Sequence, residues 1–584
     1  MASDVPTPQR EGSDGVDQPR QRNKLRGRAF YQSIGSPKLV LAPMVDQSEF
    51  AWRMLSRSFL PASEQSNLLA YTPMFHSKMF LEVPKYRDSH FQPLKSAIPS
   101  PPDAYHFSQL PDTERHLDGN PAFDRPLTVQ FCSNDPDDLL GAAKHVASFC
   151  DAVDLNLGCP QGIARRGNYG AFLQETPELI AKMIKKLDEE LDVPITAKFR
   201  ILETKEKTLA YAKTILDAGA NILTVHGRRR EQKGHNTGLA DWEMIRYLRE
   251  NLPRDTVIFA NGNILQHEDF AKCLETTGAD GVMTAEGNLY DPTIFAKPPP
   301  IGEEGREYWR GRDGKGGYRV DAVFRRYMDI IHKYALGQEP PVRGPLFHPD
   351  DPEEPPSPPR EEDDGPPRKR QKQNKIEKGQ PKNPNLTAMQ AHLFHLLRPL
   401  VSQHHNVRDA LAKCRMGDID AYENVLKLTE KAVQEGIQAY EREHADAQTT
   451  NGEYTRKLDS APESAQDDTP QEELDPYESS LATVARCKRP FWVCQPYVRP
   501  LPKEAIKKGS MQLSKKEKKR LEDEEASAKA VGLQPEGRIE KETLKTTAAN
   551  GHTAEGETAP VEGTPVEGTQ QEEVEIPKEG VVCG

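Results

Sequence analysis

Short apolar runs recur along residues 36–298, and each run has the length of a buried strand. Eight of them can be counted: Leu39–Ala42, Leu68–Tyr71, Leu127–Phe131, Val153–Leu157, Ile195–Phe199, Ile222–Val225, Val257–Ala260 and Gly281–Thr284. Segments with helical spacing lie between most of these runs. Two of them open with Asp135-Pro136 and Thr176-Pro177, where an acceptor followed by proline is typical of a helix start.

The alternation of strands and helices predicts a parallel sheet with helical crossovers. Eight such units in residues 36–300 predict an α/β fold, the (β/α)8 TIM barrel. A doubly wound open sheet is the alternative. It is disfavoured because no Gly-x-Gly-x-x-Gly follows the first strand. The long insertion at 81–126 receives no assignment.

The segments around the barrel differ from it in composition. The chain has 49 prolines and only 36% hydrophobic residues, which indicates a folded body with long disordered attachments. We expect a disordered N-terminus at 1–35 and a small helical domain at 318–440. A disordered insertion at 340–384 would interrupt this domain, and a mostly disordered tail would cover 441–584.

One part of that tail, the segment 486–520, is strongly basic, although the chain carries a net charge of -12. The segment holds twelve Lys or Arg and two Glu, together with Phe491, Trp492 and Tyr497. Cations suit phosphates and aromatic faces suit unstacked bases, so contact with RNA is favoured. A solvated charged run that keeps the tail soluble is the alternative.

Other classes of site and location leave little trace in the sequence. The eight cysteines are scattered without a Cys-x-x-Cys pair, so we expect reduced thiols and no metal site. No signal peptide and no membrane span are predicted. A cytoplasmic or nuclear location is expected, the basic stretch 368–372 being a possible nuclear signal or a plain linker. We expect a monomer.

Polar and reactive residues collect where the predicted strands end, which is where TIM barrels carry their chemistry. Cys159 follows the fourth strand on a glycine-rich turn, and by itself it is better explained as a buried apolar residue than as a reactive thiol. Packing alone does not explain why so many other strand ends also carry polar or reactive residues. They supply Pro43, Met44, Val45, Gln130, Asn156, Lys198, His226, Arg228, Asn261, Gly262, Asn263, Ala285 and Glu286.

The stretch Leu155-Asn-Leu-Gly-Cys-Pro-Gln161, followed by Arg166-Gly167 and Gly170-Ala-Phe-Leu173, resembles the tRNA-dihydrouridine synthase family. The resemblance extends over about 39–298. Further motifs that carry it are Leu41-Ala-Pro-Met-Val45, Tyr71-Thr-Pro-Met74, Thr196-Ala-Lys198, Thr224-Val-His-Gly-Arg228 and Ala260-Asn-Gly-Asn263. Tyr71–Met74 and Ala285–Leu289 are most similar to the eukaryotic branch that acts on D-loop positions 16 and 17.

The resemblance implies an FMN-dependent reduction of the uracil C5–C6 double bond in tRNA, with NADPH as the reductant. Cys159 would donate the proton to C5, since an unperturbed thiol with a pKa of about 8.5 is protonated at neutral pH. Lys198 would stand near flavin N1 and O2, and His226 near the flavin or the uracil carbonyls.

The remaining roles also follow from the resemblance. Gln130 and the segment Pro43, Met44 and Val45 would contact the flavin ring. Asn156 would contact the substrate. Arg165, Arg166 and Arg228 would meet RNA phosphate. The phosphate end of the FMN site would comprise Asn261, Gly262, Asn263, Ala285 and Glu286.

Glu286 departs from the wider family, which often has arginine at this position to hold the FMN phosphate. A carboxylate does not attract phosphate, so only backbone N–H groups of Ala285 to Gly287 would serve there. Two other functions stay open: an FMN-dependent reductase of a small pyrimidine or enone, and a non-catalytic RNA-binding barrel.

Overall fold

Eight parallel strands close into a barrel in the computed structural model of this protein, which confirms the predicted TIM barrel. The structure describes residues 24–100, 102, 110–234, 237–351, 383–449, 480–501 and 504, with the backbone alone at 445–449. The described residues up to Arg499 belong to one compact unit. Pro500, Leu501 and Glu504 belong to a second, Pro500–Gly580, in which the Leu501 N–H donates to Glu504.

The strand order follows the chain, and β1 closes the barrel by pairing with both β2 and β8. The strands are β1 Leu39–Leu41, β2 Leu68–His76, β3 Leu127–Cys132, β4 Ala152–Leu157, β5 Ile195–Arg200, β6 Ile222–His226, β7 Val257–Asn261 and β8 Gly281–Thr284. Several run past their predicted ends, so Arg200, His226 and Asn261 are the last residues of their strands. The pairing of β2 with β3 shifts register between Tyr71 and Met74. Pro73 lies within this shift and has no N–H for the ladder.

Helices follow most strands and pack around the barrel. They are Phe50–Ser58, Ser77–Glu82, Pro84–His90, Pro136–Val146, Gly162–Arg166, Pro177–Glu190, Lys205–Asp217, Trp242–Asn251, Glu268–Thr277 and Glu286–Tyr290. Asp135 caps its helix as the sequence predicts, because its Oδ1 accepts from the N–H groups of Asp137 and Asp138. The insertion at 81–126 contributes Pro84–His90 and the buried Phe91.

The N-terminal prediction differs from the structure. Gly27–Ser33, inside the segment expected to be disordered, is a helix with Phe30 and Tyr31 buried. The Tyr31 hydroxyl donates to the carbonyl of Asp280 at 3.0 Å, at the amino-terminal end of β8. These two aromatic side chains in an otherwise polar stretch, together with the bond from the Gly27 N–H to Asn221 at 2.8 Å, hold the helix against the barrel. Residues 1–23 lie outside the described part.

A helical region follows the barrel through a small antiparallel hairpin, β9 Tyr308–Arg310 and β10 Gly316–Tyr318. Its helices are Val320–Ile330, continued by a π-helical turn Ile331–Ala335, and Pro384–Leu396, Arg398–Val401, His405–Lys413 and Ile419–Thr449. It contacts the barrel through Trp52, whose ring stacks on His392 at 3.9 Å and whose Nε1 donates to Asn288. The last helix runs beyond the predicted limit of 440, where the His444 ring stacks on Tyr440 and the His444 carbonyl accepts from Arg312 at 3.1 Å.

The predicted disordered insertion 340–384 also differs from the structure at both ends. Arg343 donates to Glu423 at 2.7 Å and also pairs with Asp329. Arg306 pairs with Asp351 at 2.5 Å, and Pro384 already begins a helix. Charged side chains that find partners on the helical region hold this stretch. Residues 352–382, including the basic stretch 368–372, lie outside the described part.

The largest difference lies in the tail, where residues 480–499 form an ordered segment that we name the C-terminal strap. It begins with the helix Ser480–Cys487 and then crosses the hairpin and the helical region. Trp492, Val493 and Cys494 are buried, and the Cys494 N–H donates to the carbonyl of Tyr318 at 3.1 Å. Of the three aromatic residues in the predicted RNA-binding segment, Trp492 is therefore buried, while Phe491 and Tyr497 are partly buried and pack against the core.

Two features are absent from the described residues. None of the helices there is long and apolar enough to cross a membrane. Within the same described ranges, no group of three or more His, Cys, Asp or Glu side chains is arranged to hold a metal ion.

Candidate active site

Cys159 stands just beyond the carboxyl end of β4 and is only 1% exposed. It lies in a small cluster with Cys132, Ala164 and Tyr169, and the partly buried Met74 and Phe172 pack against that cluster. Burial, together with the neighbouring Cys159, raises the pKa of the Cys132 thiol well above its usual range. Most of the side chains that pack around Cys159 in this cluster are therefore apolar.

The glycine-rich turn after Cys159 is required by close backbone contact. Gly170 has a φ of +65°, and a Cβ there would lie 2.7 Å from the Cys159 carbonyl oxygen. That carbonyl accepts from the Ala171 N–H at 3.1 Å. Any larger residue at 170 would push the cysteine away from the barrel mouth.

Asn156 holds the cysteine loop from the barrel side. Its Oδ1 accepts from the N–H of Cys159 at 2.9 Å and from the N–H of Gly158 at 3.1 Å. Its Nδ2 donates to Gln130 Oε1 at 2.8 Å. The side chain predicted to contact the substrate thus positions the loop that carries the thiol.

A buried carboxylate fixes the direction of these hydrogen bonds. Gln130 Nε2 donates to Asp154 Oδ2 at 2.8 Å, and Thr196 Oγ1 donates to Asp154 Oδ1 at 2.6 Å. Because an ionised carboxylate only accepts, Gln130 must turn its amide nitrogen to Asp154 and its oxygen to Asn156. Burial raises the pKa of Asp154 to about 6, while the two hydrogen bonds and the charge of Lys198 oppose the rise. Asp154 precedes Asn156 by two residues, so the period of the strand points both inward, a signal that could have identified it.

Lys198 and His226 stand on the next two strands, both buried. Register places Lys198 between Asn156 of β4 and Thr224 of β6. Burial, followed by the charges of Arg200, Lys198 and Arg228, lowers the pKa of His226 well below its usual value, so this imidazole is neutral. Arg228 Nη1 lies 3.1 Å from His226 Nε2. Arginine can only donate, which assigns the acceptor role to Nε2 and the proton to Nδ1.

Two cations from other strands support the cysteine loop from outside. Arg200 Nε donates to the carbonyl of Gly158 at 2.8 Å, and Lys233 Nζ donates to the carbonyl of Pro160 at 2.7 Å. Lys233 was not among the predicted site residues, since it belongs to the loop after β6 and no local pattern links it to Cys159.

The predicted flavin wall after β1 is formed by Pro43, Met44 and Val45, of which Val45 is partly exposed. Both backbone groups of Met44 are engaged: its N–H donates to Ser48 Oγ at 3.0 Å, and its carbonyl accepts from the Gln47 N–H at 3.1 Å. The backbone of Met44 is therefore already hydrogen-bonded within the protein, so a flavin would meet the side chains of this turn rather than the Met44 backbone.

The end of β7 combines a tight turn with a buried amide. Gly262 has a φ of +115°, and a Cβ there would lie 2.6 Å from Ala240 Cβ. Asn261 Nδ2 donates to the carbonyl of Met283, whereas the buried Asn261 Oδ1 has no partner among the described residues. The side-chain oxygen of Asn263 is engaged within the protein, because its Oδ1 accepts from Arg228 at 2.8 Å and from the Ala240 N–H at 3.0 Å.

The predicted RNA-binding arginines do not lie in equivalent places. Arg165 and Arg166 are exposed on the short helix Gly162–Arg166 beside the cysteine loop. Arg228 instead turns into the protein, where it donates to the carbonyl of Gly238 at 3.0 Å and contacts Asn263. The first two are thus exposed, whereas Arg228 is only partly exposed and makes contacts within the protein.

At the end of β8, Ala285 is buried and Glu286 begins the helix Glu286–Tyr290. Glu286 Oε1 accepts from Arg499 Nε of the C-terminal strap at 2.8 Å. Sequence reasoning missed Arg499, which lies 213 positions further along the chain. No local signal connects the two residues.

Comparison with known proteins gives a consistent result. Residues 40–307 match the family model described as dihydrouridine synthase. The chain is 40% identical to the tRNA-dihydrouridine(16/17) synthase [NAD(P)(+)] of Saccharomyces cerevisiae over 82% of this chain and 87% of the relative. It is 39% identical to the Schizosaccharomyces pombe protein of that name, over 82% and 92%. A Rattus norvegicus protein described as tRNA-dihydrouridine(16/17) synthase [NAD(P)(+)]-like is 32% identical over 91% and 87%. On this evidence, and with the cysteine loop held at the mouth of a closed barrel, the chain belongs to the dihydrouridine synthase family.

Proposed function

We propose that this protein reduces the C5–C6 double bond of uridines at positions 16 and 17 of the tRNA D-loop, with FMN as its cofactor and NADPH as the reductant. The observation that carries the proposal is that Asn156 holds the Cys159 loop at the same end of the barrel as Lys198 and His226. The two yeast relatives, whose names specify positions 16 and 17 and NAD(P)(+), support the substrate and the nucleotide class.

The residues at the barrel mouth fit an FMN. Asn261 Oδ1 is buried without a partner among the described residues, and such an acceptor calls for a donor from a bound group. Lys198 would stabilise negative charge at the pyrimidine side of the ring, and Gln130 and Met44 would contact its edge and face. A bound FMN would supply the hydride for C6 of the uracil.

Cys159 supplies the proton that completes the reduction. Hydride addition at C6 leaves negative charge on C5 and the C4 carbonyl, and the neutral thiol protonates C5. The hydrogen bonds that the Gly158 and Cys159 N–H groups donate to Asn156 Oδ1 hold the loop while the proton is transferred. His226 is neutral and protonated at Nδ1, so it would offer the flavin or the uracil a neutral N–H donor rather than a positive charge.

The surface beside the thiol suits an RNA backbone. Arg165, Arg166 and Lys233 are exposed on the two loops that flank Cys159, although the whole chain is acidic. Such cations attract phosphates and release counterions on binding. The uridine must leave its stack to reach the barrel mouth, which a flexible D-loop allows at low cost.

The purified protein with NADPH tests the proposal on three substrates. A tRNA transcript with uridine at positions 16 and 17 should gain dihydrouridine there, whereas a transcript with cytidine at both positions should gain none. Free uracil should be reduced far more slowly. Equal reduction of free uracil, or dihydrouridine at other positions alone, would contradict the proposed substrate.

A further inference from the structure

The barrel interior below the mouth is polar, whereas TIM barrels usually fill this space with bulky branched side chains. Five strands contribute one buried polar side chain each, from β2 to β6: Tyr71, Thr128, Asp154, Thr196 and Thr224. Tyr71 pairs with Thr128 in the β2–β3 ladder, and Asp154 pairs with Thr196 in the β4–β5 ladder. The sheet therefore brings a carboxylate into a layer of hydroxyl groups inside the barrel.

Asp154 faces a cation on the neighbouring strand. Thr196, its partner in the ladder, precedes Lys198 by two residues, so Lys198 lies on the same inner face one step closer to the mouth. Burial raises the pKa of Asp154 to about 6, and the hydrogen bonds from Thr196 and Gln130 and the charge of Lys198 limit the rise. Asp154 is therefore mostly ionised at neutral pH, and the buried carboxylate and ammonium stabilise each other's charge.

The other titratable groups around this pair carry no further negative charge. Burial, followed by the charge of Asp154, raises the pKa of Tyr71 well above its usual range, so its hydroxyl stays protonated. His226 is neutral, because burial and the surrounding cations lower its pKa. Arg200, at the end of β5, donates to the cysteine loop. Asp154 and Lys198 thus form a neutral pair, with the cation on the side of the mouth.

The balance of this pair matters for a flavin, because a hydride from NADPH adds one negative charge to the ring. A cation beside the ring favours that charge, and a carboxylate behind the cation opposes it. Without the carboxylate, the flavin would accept a hydride more readily and release it less readily. The C5–C6 double bond of uracil is a weak hydride acceptor, so its reduction needs a flavin that gives up the hydride easily.

We propose that Asp154 is a positioning residue for the hydride transfer, which offsets the charge of Lys198 and thereby keeps the reduced flavin a strong hydride donor. The hydride that NADPH delivers to the flavin leaves it for C6 of the uracil, and the proton from Cys159 completes the product. This inference rests on the proposed function, because it assumes that the bound group is a flavin.

The midpoint potential of the flavin in the full-length protein tests the inference. Asp154→Asn removes the charge and keeps the hydrogen bonds, because asparagine accepts from Gln130 through its oxygen and donates to Thr196 Oγ1 through its nitrogen. The potential should become more positive by about 30 mV, which is a tenfold shift toward reduced flavin for a two-electron couple. Asp137→Asn, the same substitution at an exposed carboxyl paired with Lys186, is the matched control and should leave the potential unchanged.

The rates of the two half-reactions separate a charge effect from a structural one. In Asp154→Asn, reduction by NADPH should become faster and reoxidation by tRNA slower, each by about threefold, half of the tenfold change on a logarithmic scale. Stopped-flow absorbance of the flavin measures both rates. A purely structural role would slow reoxidation by tRNA and leave reduction by NADPH unchanged.

A double variant tests the pairing with Lys198. Lys198→Gln should move the potential to more negative values, and Asp154→Asn with Lys198→Gln should bring it back near wild type, since both charges are then gone. An unchanged or more negative potential in Asp154→Asn would overturn the inference. So would slower reoxidation by tRNA without a change in potential. If the unaltered protein binds no flavin, the proposed function itself fails.

Discussion

The two sides of the barrel mouth are built in different ways. The β4 side is local: Asp154, Asn156 and Cys159 lie within six residues, and buried hydrogen bonds link them with Gln130. The β8 side is assembled from distant segments, since Glu286, Arg398 and Arg499 belong to the barrel, the helical region and the C-terminal strap. The thiol side is therefore fixed by the barrel alone, whereas the β8 side also depends on contacts from the helical region and the C-terminal strap.

The largest expected effect comes from breaking the β8 side through Trp492. Its ring packs against Trp309 at 5.6 Å and against Phe491 at 5.0 Å, and a Cβ on Gly436 would lie 2.7 Å from it. Trp492→Ala should lower the free energy of unfolding by about 3–5 kcal/mol, as for other large buried side chains. Urea denaturation measures this loss.

The control for this prediction is Leu481→Ala, because Leu481 lies on the same strap and is 53% exposed. It should change stability by less than about 0.5 kcal/mol. A small effect of Trp492→Ala would mean that the strap does not hold the β8 side together.

Asn156→Ala breaks the β4 side. It removes the acceptor for the Gly158 and Cys159 N–H groups, which are then buried without partners, at a cost of about 1–3 kcal/mol. We expect tRNA reduction to fall roughly tenfold to a hundredfold while FMN content stays unchanged. Asn134→Ala is the control, since the Asn134 side chain donates an exposed hydrogen bond to the carbonyl of Gly167 and does not hold the Cys159 N–H. Equal losses in both variants would remove the special role of Asn156.

The pH dependence of stability gives a second test of the β4 side, through the ionisation of Asp154. Burial raises the pKa of Asp154 to about 6, above the unfolded value of about 4, so the folded state binds this proton more tightly. The stabilisation is present at low pH and is lost as pH rises from about 4 to about 6. Wild type should therefore lose stability relative to Asp154→Asn across this window, by about 3 kcal/mol, and the difference should then level off.

Asp137 provides the contrasting case. Its hydrogen bond with Lys186 lowers the pKa of this exposed carboxyl, so its contribution is lost as pH falls below about 4. Wild type compared with Asp137→Asn should thus show the opposite slope at lower pH. A flat or rising difference for Asp154 between pH 4 and 6 would contradict its buried, ionisable state.

The smallest expected effect concerns the basic residues beyond the strap. Deleting 502–520 removes eight Lys or Arg and two Glu, and leaves the strap intact. We expect tRNA affinity to fall about threefold to tenfold at moderate salt, with a shallower salt dependence and unchanged FMN content. If the salt dependence of tRNA affinity did not change, these residues would serve only to keep the protein soluble.

The contrast between the two sides also explains what the sequence could predict. The strands, the Asn156–Cys159 loop and Lys198 and His226 follow from local patterns, because each depends on strand period and strand ends. Asp154 was missed although the same period applied to it. The burial of Trp492 was not predictable, because it depends on Trp309 and Tyr440, which lie far away in the chain. The same reason hid the helix Gly27–Ser33 and the Glu286–Arg499 pair.

The most direct test of the central claim is the rate at which tRNA reoxidises the NADPH-reduced flavin in Cys159→Ala. We predict that NADPH reduces the flavin within about twofold of the wild-type rate, while reoxidation by tRNA slows by about a hundredfold or more. Cys132→Ala, which removes the neighbouring thiol of the same cluster, should reoxidise at nearly the wild-type rate. Wild-type reoxidation by tRNA in Cys159→Ala would contradict the assignment of Cys159 as the proton donor.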